Sequence, residues 1–285
     1  MLRRLGLACL GLVGLSLLSE AQAQSSAPAP GLTLGVLNQR SPQLTASFWN
    51  PILVELGRRI GRPVELRMAK TAPETTAATV AGEYDLAYTN HLFTPERVRL
   101  GWRVFARLAG EPITGEFVVL QDSPIKSLSE LAGQAVAFPS AEAFVGYAVP
   151  MEALRRAGVE VKPSFAGNQE GAMGQLRAKA VVAAGVNTKV MAAFAAREGL
   201  AYRVLWRSEP YLDIPLMAHP RVSAQTLAQL QSALLGLDQD EAGRAALAAA
   251  AAALKLDKPV RFVAATDAEF ENVRQFHRQA AAKAP

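Results

Sequence analysis

Short apolar runs alternate with longer runs of helical period along most of this chain. Residues 32–37 are a short apolar strand. Residues 46–60 place Phe48, Leu53, Leu56 and Ile60 near one helical face. Gly61 stops that helix and Pro63 blocks its continuation. Residues 64–68 alternate as a strand, 72–81 predict a helix with Pro73 in its first turn and Gly82 past its end, and 85–89 predict a third strand. Further strands are expected at 102–108, 116–121, 135–138, up to Phe165, 181–186, 202–206 and 214–218. Helices are expected at 127–131, 141–157, 170–179 and 188–197. The tail reads as helical over 224–235, 239–254 and 267–281. Its alanine-rich stretch, 245–253, is a structural helix. No solenoid period is present.

Strands alternating with helices of this length predict an α/β protein whose mostly parallel sheets are covered by helices. The unit occurs twice. The helical tail has few strands of its own and must complete the first unit. The chain is therefore expected to cross to a second lobe near 114–121 and to return near 211–220, with Tyr211 and Asp213 as hinge residues. This gives lobe one as 32–115 plus 217–285, lobe two as 116–216, and a two-crossing hinge. Ligands of open α/β sheets bind at the carboxyl ends of strands, so the ligand belongs in the cleft between the lobes, and closure is a hinge motion.

The N-terminus adds an address. Arg3 and Arg4 precede an apolar run, 5–18, and Ala21-Gln22-Ala23 is a small-x-small cleavage pattern. Residues 1–23 read as a signal peptide and 24–31 as a Ser/Ala/Pro linker, which places the mature chain in the periplasm. No later run is long and apolar enough to span a bilayer. Cys9, the only cysteine, lies in the export segment, so the mature chain offers no disulfide, cysteine nucleophile or thiolate metal site. Net charge is +5. The basic residues are scattered and not interleaved with aromatics, which argues against nucleic acid as a partner.

Four segments resemble the phosphate/phosphite/phosphonate-binding components of ABC importers, within the type II periplasmic-binding-protein fold. They are Leu32-Thr33-Leu34-Gly35-Val36; Leu56-Gly57 with Gly61-Arg62-Pro63-Val64-Glu65; Gly82-Glu83-Tyr84-Asp85-Leu86-Ala87; and the run from Ser127 through Gly133 to Phe138. The resemblance covers residues 31–240. It implies capture of a small ligand by hinge closure and delivery to a membrane permease, by a monomer with no cofactor and no catalysis. The chain also departs from the family. Where phosphonate binders have a Ser/Thr run after the strand at 135–138, this chain has Ser140-Ala141-Glu142-Ala143. Where they commonly have Ser-His-Asp, it has Asn168-Gln169-Glu170. Where they have Gly-x-x-Asp, it has Lys179-Ala180-Val181-Val182.

The candidate ligand-binding residues stand at strand ends. Ser140 and the amides of Glu142 and Ala143 open a helix and can cradle an anion. Equally, Ser140 is an ordinary N-cap and Glu142 a first-turn acid. A Glu142 that faces the cleft would favour a zwitterion over a bare oxyanion. Tyr88, Asn90 and His91 follow the third strand; the alternative makes Asn90 or Thr89 a cap and His91 a surface residue. Gln169 takes the place of the family's histidine. Asn187 reads as an N-cap as readily as a ligand contact. Arg40 and Phe48 flank the first strand end, with a solvated arginine and a core phenylalanine as their plainer readings. His91, His219 and His277 have no metal-ligand spacing, and no His-Glu-x-x-His, Gly-x-Ser-x-Gly or phosphate-loop motif occurs. A ligand-sensing subunit remains the alternative role, and an enzyme on the same scaffold a more distant one.

Overall fold

The computed structural model describes residues 30–282; the expected signal peptide and most of the linker lie outside them. Eleven strands form two sheets among the described residues. The first contains β1 (Leu32–Val36), β2 (Val64–Arg67), β3 (Leu86–Tyr88), β4 (Arg103–Leu108), β10 (Pro215–Ala218) and β11 (Phe262–Ala264), in the order β11-β4-β10-β3-β1-β2. The second contains β5 (Gly115–Leu120), β6 (Ala135–Phe138), β7 (Lys162–Phe165), β8 (Ala183–Asn187) and β9 (Tyr202–Arg207), in the order β7-β6-β8-β5-β9.

The two-lobed α/β architecture matches the sequence reading, with one correction. The sheets are mixed, not mostly parallel. β1, β2 and β3 run parallel, as do β6, β7 and β8. The strand that enters each lobe from the hinge runs against its neighbours: β5 lies antiparallel between β8 and β9, and β10 antiparallel between β3 and β4. These strands start at the hinge and run away from it, whereas the strands of β–α–β units run toward the cleft. The tail also supplies a strand that periodicity missed, β11, antiparallel on β4.

Helix α1 (Pro42–Ile60) begins at Ser41, whose hydroxyl accepts from the Leu44 amide, and ends at Gly61, whose φ of 69° is the left-handed conformation glycine adopts freely. It buries Trp49, Ile52 and Leu56 in the lobe-one core with Leu34, Leu86 and Leu216, and with Leu230 and Leu247 from the tail helices α7 (Ala224–Leu235) and α8 (Glu241–Ala253). Arg59 ties α1 to that tail through the Gly236 carbonyl (2.9 Å) and Asp240 (2.7 Å). The last helix, α9 (Glu271–Ala281), covers the other face, with Val273 against Phe93 and Trp102. In lobe two, Phe117, Phe138 and Leu154 form one core layer and Ala172, Met173, Val186 and Met191 the other.

The two crossings pair with each other. The Ile113 amide donates to Tyr211 O (2.7 Å) and the Tyr211 amide to Ile113 O (2.8 Å). The lobes are closed on one another. Phe144, Val145 and Val149 of lobe two belong to the same apolar cluster as Tyr84, Phe93 and Phe270 of lobe one.

Candidate functional site

Four strand ends converge on one small cavity of about 30 Å³ between the lobes. From lobe one come Leu37, Asn38 and Gln39 after β1, and Asn90 and His91 after β3. From lobe two come residues 139–140 and 143–146 after β6, Gln169 at the start of α5 (Gln169–Arg177), and Asn187 at the end of β8. Such a volume admits a few waters or a small oxyanion head.

The cavity wall is rich in unused donors. The Ser140 hydroxyl is buried and has no hydrogen-bond partner, and neither has Nε2 of His91. The side chains of Gln39 and Asn90 are buried and make no hydrogen bond to the described residues. Gln169 uses its Oε1 to accept the Asn187 amide (3.0 Å), and Asn187 uses its Oδ1 to cap α6 (Thr188–Glu198) at Lys189 (2.9 Å) and Val190 (3.3 Å). Their NH2 groups stay unspent. Asn38 is different: it donates to Ala69 O (2.9 Å) and accepts from Thr75 (2.6 Å), so its role is to brace the wall. No carboxylate lines the cavity.

The helix after β6 starts later than its periodicity predicts. A π-helical turn over Phe144–Ala148 precedes α4 (Val149–Arg156). Pro150 has no N–H and cannot bond the carbonyl four residues back. The turn before it widens, and the Ala148 amide reaches Ala143 O (2.9 Å). The Ala143 amide, expected to face a ligand, donates to Ser140 O instead (3.2 Å). Residues 144–146 line the cavity, and their amides are free because they precede the first intrahelical bond, donated by Tyr147. Ser140 is not an N-cap. Gly185 lets this turn lie against the sheet: a Cβ there would stand 2.6 Å from the Phe138 ring and 2.8 Å from Gly146 O.

Glu142 lines neither cavity of the cleft. Its carboxylate crosses to lobe one, 2.7 Å from Arg97 Nη2 and more loosely, at 3.4 Å, from His91 Nδ1. Burial alone would raise its pKa; the contacts with His91 and Arg97 outweigh burial and hold it at about 2. His91 is buried, not a surface residue, and its Nδ1 is 2.8 Å from Thr76 Oγ1. Behind it, burial and then the charges of His91 and Arg97 push His277 down to about 4. Its ring packs 5.3 Å from that of Phe144.

Arg40, Phe48 and Tyr88 line a second, larger cavity of about 710 Å³, which shares Leu37, Gln39 and Asn187 with the first. Of the ten candidate residues, five (Asn90, His91, Ser140, Ala143 and Gln169) face the small cavity alone, three the large one alone, and Asn187 both. Gln39 and the amides of residues 144–146 were missed. Gln39 stands three residues past the β1 end, close to where the fold puts its mouth, so its position was a usable signal. The amides carry no side-chain signal at all.

The fold has counterparts among known proteins. A family model described as "ABC transporter, phosphonate, periplasmic substrate-binding protein" matches residues 34–270. The chain belongs to that family. As a periplasmic substrate-binding protein of the ABC-transporter class, it shares its fold with solved relatives of low sequence identity. One is a binding protein component of an ABC phosphonate transporter from Pseudomonas aeruginosa, with a TM-score of 0.75, 19% identity, and coverage of 87% of this chain and 85% of that one. Another is PhnD1 of Prochlorococcus marinus in complex with methylphosphonate, with a TM-score of 0.73, 17% identity, and coverage of 88% and 98%. The aliphatic sulphonate binding protein SsuA of Escherichia coli aligns with a TM-score of 0.57, 16% identity, and coverage of 88% and 87%. No curated protein matches the chain. Among the described residues, no helix of this binding protein is long and apolar enough to cross a membrane, and no group of three or more metal-binding side chains is found.

Proposed function

We propose that this binding protein captures a phosphonate-like oxyanion in the small cavity and closes its lobes over it. The observation that carries the reading is the donor set. Ser140 Oγ, the side-chain amides of Gln39, Asn90, Gln169 and Asn187, and the free N–H groups of residues 144–146 surround a void with no carboxylate in its wall. Neutral amides and hydroxyls accept as well as donate, but a helix N-terminus only donates, and its dipole favours negative charge. Ser140 replaces the family's hydroxyl run together with these amides. The zwitterion that a cleft-facing Glu142 would favour loses its support, since that carboxylate is engaged by Arg97 and His91.

In this reading lobe one is 32–115 plus 217–285 and lobe two is 116–216. Residues 1–23 export the chain and are cleaved. The monomer delivers its ligand to a membrane permease without chemical change. A ligand shifts the open–closed balance only by its preference for the closed form, and here donors from both lobes meet only in the closed form. The test is a thermal-shift and calorimetric screen of the chain from residue 24 against methylphosphonate, phosphate, alkylsulphonates and amino acids. A phosphonate at a hundred times its Kd stabilises the native state by about 2.7 kcal/mol, a rise in Tm of about 5–10 °C for a chain of this size. A shift with amino acids and none with any phosphonate would overturn the proposal.

A further inference from the structure

The larger cavity contains a charge that no hydrogen bond or ion pair from the described residues answers. Its walls come from both lobes. Leu44, Phe48 and Trp49 of α1 face Val190 and Ala193 of α6, and Tyr88 lies beside Arg40. The Arg40 guanidinium is half-buried and makes no hydrogen bond or ion pair to the described residues. Two carboxylates are near enough to act on it through space, and both are spent elsewhere. Asp213 holds Lys189 (3.0 Å) and accepts the Ile214 amide (2.8 Å). Glu170 holds Arg197 (2.9 Å) and accepts the Ser41 amide (3.2 Å). An unpaired charge withdrawn from water is expensive, and the apolar surroundings of Arg40 lower its pKa for that reason, against the opposing influence of Tyr88 and Asp213. The exposed rim adds Lys255, Lys258 and Arg261 against Glu111 and Asp257.

The two cavities share Gln39, and Arg40 is its chain neighbour. They share Leu37 and Asn187 as well, so a ligand whose head occupies the small cavity can extend into the larger one, whose wall includes Arg40. We propose that the larger cavity receives the organic part of the ligand, and that this ligand is a phosphonate carrying a second acid, for which 3-phosphonopropionate serves as the probe. Arg40 pairs with that acid. An ammonium in the same place would face Arg40, and the two carboxylates that act on Arg40, Asp213 and Glu170, already hold Lys189 and Arg197. This inference rests on the phosphonate reading of the small cavity.

The test is calorimetry with methylphosphonate, 2-aminoethylphosphonate and 3-phosphonopropionate, on the native chain and on Arg40→Met and Arg40→Lys. The expected result is 3-phosphonopropionate binding at least ten-fold more tightly than methylphosphonate, and 2-aminoethylphosphonate binding no more tightly than methylphosphonate. Arg40→Met should lose ten-fold or more toward 3-phosphonopropionate and less than three-fold toward methylphosphonate, and Arg40→Lys should recover part of the loss. The melting temperature of Arg40→Met should not fall, because no hydrogen bond or ion pair is removed and the methionine keeps the apolar stem. The inference is overturned, and the phosphonate reading left standing, if the amino and carboxyl compounds bind alike or if Arg40→Met weakens every phosphonate equally. If no phosphonate binds at all, the reading of the small cavity fails and takes this inference with it.

Discussion

Replacing Glu142 by Gln should release a latch that exists only between closed lobes. The carboxylate stands on lobe two, while Arg97 and His91, its partners, stand on lobe one. Opening the cleft separates them. In the closed form the carboxyl is held at about 2, against an ordinary value of 4.5. At about 1.4 kcal/mol per pKa unit that difference sets a ceiling of about 3 kcal/mol. The side chain is 28% exposed, and solvent screening reduces the latch to about 1–2 kcal/mol, or about 5–30-fold in the ratio of closed to open forms. Glu142→Gln keeps the shape and removes the charge, so methylphosphonate affinity at neutral pH should weaken within that range. Small-angle scattering of the unliganded variant should show a larger radius of gyration. The pH dependence has a definite sign. A carboxyl whose pKa is depressed contributes its stabilisation above its ordinary pKa and loses it as pH falls toward the depressed value. Affinity of the native chain should therefore decline as pH drops below about 4.5, a window in which a phosphonate keeps a single negative charge, while the variant should stay flat. An affinity within two-fold of the native chain, an unchanged radius and an identical acid decline would refute the latch.

Ser140→Ala deletes a buried hydroxyl that has no protein partner. Hydrogen bonds to charged groups are worth about 1.5–3 kcal/mol, so calorimetry should show every oxyanion ligand weakened by ten-fold or more, with little change in the Tm of the unliganded protein. Gly185→Ala places a methyl against the Phe138 ring and the Gly146 carbonyl. Overpacking of this kind costs about 1–3 kcal/mol, and the readout is a lower Tm together with weaker phosphonate binding, because the turn at Phe144–Ala148 is pushed off β5 and β8.

Much of this cleft was legible because two different periodicities meet at it. Apolar strands of four to six residues end abruptly in polar residues, and the fold requires those ends to share one rim. Asn90, Gln169 and Asn187, placed at that rim, line the small cavity. The shift of the helix start from Ala141 to Phe144 was not legible, although its cause, Pro150, stands in the sequence. A proline near a helix start normally reads as a first-turn residue, and only the register of carbonyls around it shows that the preceding turn must widen. The direction of Glu142 was left open for another reason. Its partner Arg97 is 45 positions away on the other lobe, and no local pattern encodes a contact across a hinge. Arg40 illustrates the converse. Its plainer reading as a solvated residue fails because α1 and α6 close around it, and that burial is created by the same hinge.

The turn at Phe144–Ala148 joins binding to closure. Residues 144–146 line the small cavity, while the Phe144 ring packs 4.8 Å from Tyr211 of the hinge and 5.3 Å from Phe276 of the last helix. Phe144 and Val145 lie in one apolar cluster with Phe93 and Phe270 of lobe one. An oxyanion that orders the amides of residues 144–146 therefore fixes the placement of an aromatic side chain whose burial favours closure, and closure in turn completes the donor set with Gln39 and Asn90. Phe144→Ala separates the two contributions. It keeps every donor and removes apolar contact worth about 3–5 kcal/mol where a phenylalanine is fully buried. A variant that binds phosphonate weakly yet still closes when saturated would show that the ring sets the balance of the empty protein and that the ligand's own contacts suffice to shut the cleft. A variant that binds at native affinity would mean that the ring is spectator packing and that closure is governed by the polar contacts alone.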